Sequence, residues 1–288
     1  MAKLIDFKCK YANFKGMDKD YFKSIGLEIP DAYHHAKTIA KISQSIKLKE
    51  NNVFCMLPFD PVIEAEALGA KIKYDDSNLG PRKDADVISS VTDLESLPQM
   101  NINNGRLAET LKAVEILKSQ GETVAIEAHG PFGILNGLMD IQKLLMAWRK
   151  NPQLIQNIFN RFQDDLVNYY KAARAAGCDL LFYTDSSGSL NIIGPKYSKQ
   201  LVDWFLYPFF KRLESELDRD CIVHLCPKTA FLLVGCEKAT WEKIQIDGEK
   251  KYGEAVLSLS GKVRLMGQRC RKEENATVKD HLYYLNLL

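Results

Sequence analysis

Short, unbroken apolar runs recur along this chain, and stretches with helical spacing separate most of them. Val53-Phe54-Cys55-Met56-Leu57 closes at Pro58. Thr123-Val124-Ala125-Ile126-Glu127-Ala128, Leu180-Leu181-Phe182-Tyr183 and Ile222-Val223-His224-Leu225 follow, with further runs at 242–246 and 263–266. A strand that is apolar at nearly every position must be covered on both faces, the habit of parallel sheets sandwiched by helices. Residues with chemistry gather just behind these runs: Glu127 and His129, Asp185, His224 and Cys226, Asp247, Cys270. A β/α barrel places its site at that C-terminal rim. No G-x-G-x-x-G or Walker sequence follows any strand, so a nucleotide-binding open sheet loses support. The expected fold class is therefore α/β, a (β/α)8 TIM-type barrel over residues 51–288 behind an N-terminal helical segment, 1–50. Six strands are convincing and eight are needed. The others are expected from 70–74 and from the first 40 residues, with an N-terminally shortened barrel as the alternative. Residues 75–86 read as loop, 195–218 as a helical region broken near Pro208, and 277–287 as a short closing helix.

Lys and Arg number 39 against 37 Asp and Glu, a net charge of +2, so a nucleic-acid surface is not expected. The basic runs at 47–49 and 269–272 read as solvated faces. No apolar run approaches the ~18 residues of a membrane span. The first residues carry charges where a secretory signal would be apolar, which points to the cytoplasm. Seven Cys, at 9, 55, 178, 221, 226, 236 and 270, are an odd and scattered set. That suggests reduced thiols, with metal or catalytic use for some. Cys55, Cys178, Cys221 and Cys236 read as small apolar packing residues.

The segment Cys221-Ile222-Val223-His224-Leu225-Cys226-Pro227-Lys228 carries the sharpest signal. In an extended chain, residues i and i+2 point to one face, so His224 and Cys226 project together at a strand end. Zinc favours such nitrogen and sulfur donors. The competing reading is a buried His and a buried Cys in a core strand. Glu127 is a candidate fourth ligand or proton acceptor, or else a carboxylate paired with a nearby Lys or Arg. His129 binds substrate or orients a ligand, or is a hydrogen-bonded structural His. Asp185 and Asp247 hold substrate or a ligating His, or cap the next helix.

The chain resembles the uroporphyrinogen decarboxylase superfamily, and within it the zinc-dependent, corrinoid-linked methyltransferase branch. The likeness is carried by the run from Glu64 to Lys71, by Gly105-Arg106-Leu107, by Gly130-Pro131-Phe132, by Asp185-Ser186-Ser187-Gly188 with Tyr207-Pro208-Phe209, and by the strands at 244–247 and 263–267. It covers roughly residues 30–275. The resemblance implies a β/α barrel with zinc held by His224, Cys226 and Cys270. His224 and Cys270 would then lie at the ends of strands two apart in barrel order. It also implies a corrinoid on a separate binding protein, and a small methyl acceptor or donor contacted by His129, Ser186 and Gln268. The expected reaction moves a methyl group from a methyl-corrinoid to a thiol such as coenzyme M or homocysteine. The reverse use, taking methyl from an ether or amine, is the alternative. The Arg-rich N-terminal motif of true decarboxylases is absent, which disfavours the lyase reading. A shortened barrel leaves edge strands, and a homodimer would cover them.

Overall fold

The computed structural model describes residues 4–10, 19–74 and 80–288 of this chain. Its centre is a seven-stranded sheet. The strands are β1 Cys55–Leu57, β2 Val124–His129, β3 Leu180–Thr184, β4 Ile222–Leu225, β5 Ala239–Gln245, β6 Leu265–Met266 and β7 His281–Leu287. They lie side by side in the order β1-β2-β3-β4-β6-β7-β5. The run from β1 to β6 is parallel, as the unbroken apolar sequences require. β7 then pairs antiparallel with both β6 and β5.

The C-terminal third departs from the expected order. β6 lies directly beside β4, with His224 opposite Met266, instead of two strands away. The intervening strand in sequence, β5, has moved to the far edge, and β7 fills the gap between it and β6. Residues 277–287, expected to be helical, are extended: Thr277–Val278 and then β7. Leu282-Tyr283-Tyr284-Leu285 reads as helix or strand by itself, and seven paired positions along β5 decide for strand. Lys71–Lys73 is a strand, but it forms a separate hairpin with Arg82–Ala85. Of the loop expected over 75–86, residues 75–79 lie outside the described residues. The described part of the first 40 residues contains helices and no strand.

Helix ends follow their local chemistry. Asn104 accepts from Gly105 at the start of Gly105–Ser119, and Asp140 accepts from Gln142 at the start of Ile141–Lys150. Asn151 caps Pro152–Ala175, with Pro152 in the first turn, where its missing N–H costs nothing. The helical region from Leu190 breaks at Gly194, next to Pro195, and not at Pro208. Pro208 opens Tyr207–Glu216, behind a widened turn over Val202–Leu206 that accommodates its missing donor.

The strands sort their residues by parity. Val124, Ile126, Ala128, Leu181, Tyr183, Val223 and Leu225 pack into the larger core, against the surrounding helices. Ala125, Leu180, Phe182, Ile222 and Met266 face the other way. That inner face is covered by the helix Tyr252–Leu257, through Tyr252, Ala255 and Val256, with Leu259 and Val263 just after it. The helix closes against the segment that leads into β1, since a Cβ added to Gly253 would sit 3.0 Å from Val53. Among the described residues, no helix is long and apolar enough to cross a membrane.

Candidate functional site

Inward parity places Glu127 and His129 on β2 and His224 on β4, with Cys226 two residues beyond. Phe182 is the register partner of both Glu127 and His224, so these two side chains flank it from adjacent strands. β6 delivers Cys270 and Arg271 to the same rim, after a turn at Gly267. Gly267 has φ +152°, and a Cβ there would meet the Leu225 carbonyl at 2.7 Å, so only glycine permits this approach of the two strand ends.

His224 is 1% exposed. Its Nε2 lies 2.8 Å from the Tyr252 hydroxyl, and its Nδ1 is buried without a partner among the described residues. The ring centres of Phe182 and Tyr252 lie 4.9 and 5.8 Å from that of His224. Burial drives its pKa down to about 4, with the Arg271 charge adding, so the ring is neutral at neutral pH. Cys226 and Cys270 are half-buried free thiols. Burial pushes the Cys226 thiol up to about 12, and negative charge on Cys270, Cys9 or Glu127 would raise it further. Cys270 is shifted upward by burial too, and Cys9 acts on it as well. The three sulfurs therefore sit within electrostatic reach of one another.

Glu127 is held by Arg271, whose Nε and Nη2 donate to its two oxygens at 2.8 and 2.6 Å. Burial alone would raise this carboxyl, but Arg271 and His129 hold it below the ordinary range. Arg271 is thus a half-buried ion-pair partner of a buried carboxylate, contrary to the solvated face expected for 269–272. His129 faces Glu64: its backbone N–H donates to Oε1 at 2.9 Å and its Nδ1 lies 3.1 Å from Oε2. Burial works against the imidazolium, but the Glu64 charge prevails and lifts the pKa to about 9. Nearby, Arg106 joins Asp60 at 2.6 Å and Glu66 at 2.5 Å. The rim therefore carries alternating charges with few vacancies.

Asp185 has the opposite parity and serves the helix side. Its carboxylate accepts from the backbone N–H of Phe132, Gly133 and Gly188 at 3.1, 3.0 and 3.2 Å. It ties the start of Pro131–Leu138 to the end of β3. Burial nevertheless raises it to about 6. Gly130 is required beside it, because a Cβ would sit 2.6 Å from Asp185 Oδ2 and 2.1 Å from the Tyr183 hydroxyl. Ser186 is exposed, its carbonyl accepting from Ser189, and Gln268 is half-buried. Asp247 is exposed beyond the edge strand β5, with β6 and β7 between it and β4, so it is not brought to the cluster.

Glu64, Tyr252 and Arg271 are the residues that sequence reasoning missed. Arg271 adjoins a candidate ligand, which was a signal. Tyr252 carried none, because its pairing depends on a helix folding across the inner face.

The donor types fit zinc: a neutral imidazole with a free buried nitrogen, and two thiols. The described side chains are not gathered into a preformed site, since no three His, Cys, Asp or Glu among them could share an ion.

Residues 18–269 match the family model described as Uroporphyrinogen decarboxylase (URO-D). The chain is 25% identical over 241 residues to the methylcobamide:CoM methyltransferase MtbA of Methanosarcina acetivorans, covering 79% of this chain and 68% of that protein. It is 22% identical over 251 residues to the methylcobamide:CoM methyltransferase MtaA of Methanosarcina barkeri, covering 86% and 71%. A solved methyltransferase from Methanosarcina mazei superposes with a TM-score of 0.62 at 18% identity, over 77% of this chain and 65% of that one. This chain thus spans about two thirds of the length of these relatives.

Proposed function

This chain belongs to the uroporphyrinogen decarboxylase family, with that family's TIM-type α/β barrel fold, and on that footing we propose that it is a methyltransferase. It moves a methyl group from a methyl-corrinoid, held by a partner protein, to a small thiol such as coenzyme M. The names of its relatives, methylcobamide:CoM methyltransferases, support the reaction class. The observation that carries the site is the orphaned Nδ1 of His224, two residues before Cys226, whose thiol is in turn within electrostatic reach of Cys270. His224, Cys226 and Cys270 would hold zinc, and zinc when bound supplies a Lewis acid that lowers the pKa of the acceptor thiol.

The chain's own residues prepare that site. His224 stays neutral, so its lone pair is available without first losing a proton. Cys226 and Cys270 stay protonated in the buried, metal-free site, so metal uptake releases protons and strengthens with pH. The Glu127–Arg271 pair docks the turn bearing Cys270 onto β2. Tyr252 and Arg271 also line the crevice on the inner face, with Phe54, Phe182 and Val256. Asp185 braces the rim from the helix side, and Asp247 takes no part. The reaction is cytoplasmic, consistent with seven free Cys.

Elemental analysis of purified protein, followed by demethylation of methylcobalamin against a panel of thiols, tests this reading. One zinc per chain and thiol-dependent demethylation are expected, both lost in Cys226→Ala. Absence of zinc together with no demethylation by any thiol sinks it. Methyl uptake by a cobalt(I) corrinoid from ethers or amines, with no thiol activity, would favour the reverse direction.

A further inference from the structure

Residues 4–10 are held to the rest of the described chain by side-chain packing, and that packing is at the candidate site. Phe7 stacks on Phe231, with ring centroids 5.3 Å apart and 24° between planes, and Phe231 in turn meets Trp241 of β5 at 5.3 Å. Phe231 stands one turn into the helix Pro227–Gly235, which starts directly behind Cys226. The stack therefore seats the segment beside the strand end that carries Cys226. We infer that residues 4–10 form a strap that closes over the rim thiols Cys226 and Cys270 and swings aside before a reactant reaches them. The inference concerns access to the rim and stands on packing, whether or not the rim binds a metal.

The course of the segment supports this. Cys9 follows Phe7 by two residues and is half-buried, as Cys226 and Cys270 are. Charge on Cys9 would raise the pKa of both of those thiols, so Cys9 lies within electrostatic reach of the two together. A segment with Phe7 on the helix behind Cys226, and Cys9 within reach of both thiols, runs across the rim.

The same segment is built to let go. Among the described residues its one hydrogen bond is internal, from Lys8 Nζ to Asp6. No backbone hydrogen bond joins it to another described segment. Leu4 packs against the larger core, whereas Ile5, Lys8 and Lys10 are exposed. Segments with few buried apolar contacts and an unbonded backbone open locally at low free energy, and moving lids are drawn from them. Beneath the strap the rim is fixed. Glu127 and Arg271 hold the turn bearing Cys270, and Gly267 lies close against the Leu225 carbonyl. Opening is therefore confined to the strap.

Labelling of full-length protein with N-ethylmaleimide, resolved by peptide mass spectrometry, tests the strap without a methyl-transfer assay. Phe7→Ala should raise the labelling rates of Cys226 and Cys270 by about 5- to 30-fold, the change in an opening equilibrium when a contact of this size is lost. Cys178 is fully buried just before β3, at the opposite end of the sheet, and should keep its rate. Brief trypsin treatment of the unmodified protein is the second measurement, and it decides if Phe7→Ala folds poorly. Cleavage at the exposed Lys8 or Lys10 is expected ahead of the core, with the same gain at Cys226 and Cys270. Unchanged rates at Cys226 and Cys270 in the clipped protein, or a gain at Cys178 as large as theirs, overturns the inference. Faster labelling of the two rim thiols in protein that demethylates no methylcobalamin removes the proposed function and leaves the strap standing.

Discussion

Asp185 and His224 stand at neighbouring strand ends, both nearly inaccessible, yet they are in opposite condition. Asp185 meets three backbone donors and is shifted toward protonation. His224 has one nitrogen satisfied and the other orphaned, and is shifted toward neutrality. The difference follows from which side of the sheet each serves. The helix side supplies N–H groups from helix starts, whereas the inner side supplies aromatic rings and one hydroxyl. A fully satisfied buried group holds architecture. One left with an unused lone pair is a candidate for chemistry.

Asp185→Ala should produce the largest effect. It strands three inward backbone donors, and a loss of stability on the order of 3–5 kcal/mol is expected in urea melts. A change below about 1 kcal/mol would mean that the clamp is dispensable.

Next comes pH. The folded pKa of His129, about 9, lies above its ordinary 6.5. Its contribution is complete below pH 6.5 and lost as pH rises to 9, on the order of 2–3 kcal/mol. Comparing melts of the parent and His129→Gln across pH 6–9 isolates it. Parallel curves would dismiss the Glu64 pairing as a source of stability.

Acid separates the two strand ends by sign. The His224 pKa is depressed to about 4, so metal-free protein loses that contribution as pH falls from 6.5 to 4. Asp185 is raised to about 6 from 3.8, so its contribution grows as pH falls through that window. His224→Gln should flatten an acid loss and Asp185→Asn should remove an acid gain, each on the order of 2 kcal/mol. Shifts of the same sign in the two variants would break the contrast.

The smallest stability change is expected for Cys226→Ala, about 1 kcal/mol or less in metal-free protein, because a half-buried thiol packs as a small apolar group. Metal content should nevertheless fall from one zinc per chain to none. A variant that keeps its zinc would remove Cys226 from the ligand set.

Much of the architecture was legible locally. The runs at 124–129, 180–184 and 222–225 are apolar at most positions, and burial on both faces is the stable arrangement for such strands. Asn104 and Asn151 mark helix starts by the hydrogen bonds their side chains accept, whereas the start behind Asp140 falls inside a stretch, 134–148, that reads as one continuous helix. Parity within one strand was also readable: it paired His224 with Cys226, and it could have set Asp185 apart from Phe182. The C-terminal third was not legible, because β7 becomes a strand only through its pairing with β5.

What the chain determined by itself was periodicity: which segments are strands of a parallel sheet, where most helices begin, and which donors share a strand face. Tertiary structure alone decided that β6 sits beside β4, that Arg271 neutralises Glu127 across 144 residues of chain, and that Tyr252 reaches His224. The reason is range. Backbone geometry and side-chain alternation act over a few residues, whereas strand order and buried pairing are fixed by contacts among segments far apart in sequence, which must bury apolar surface and satisfy charge together.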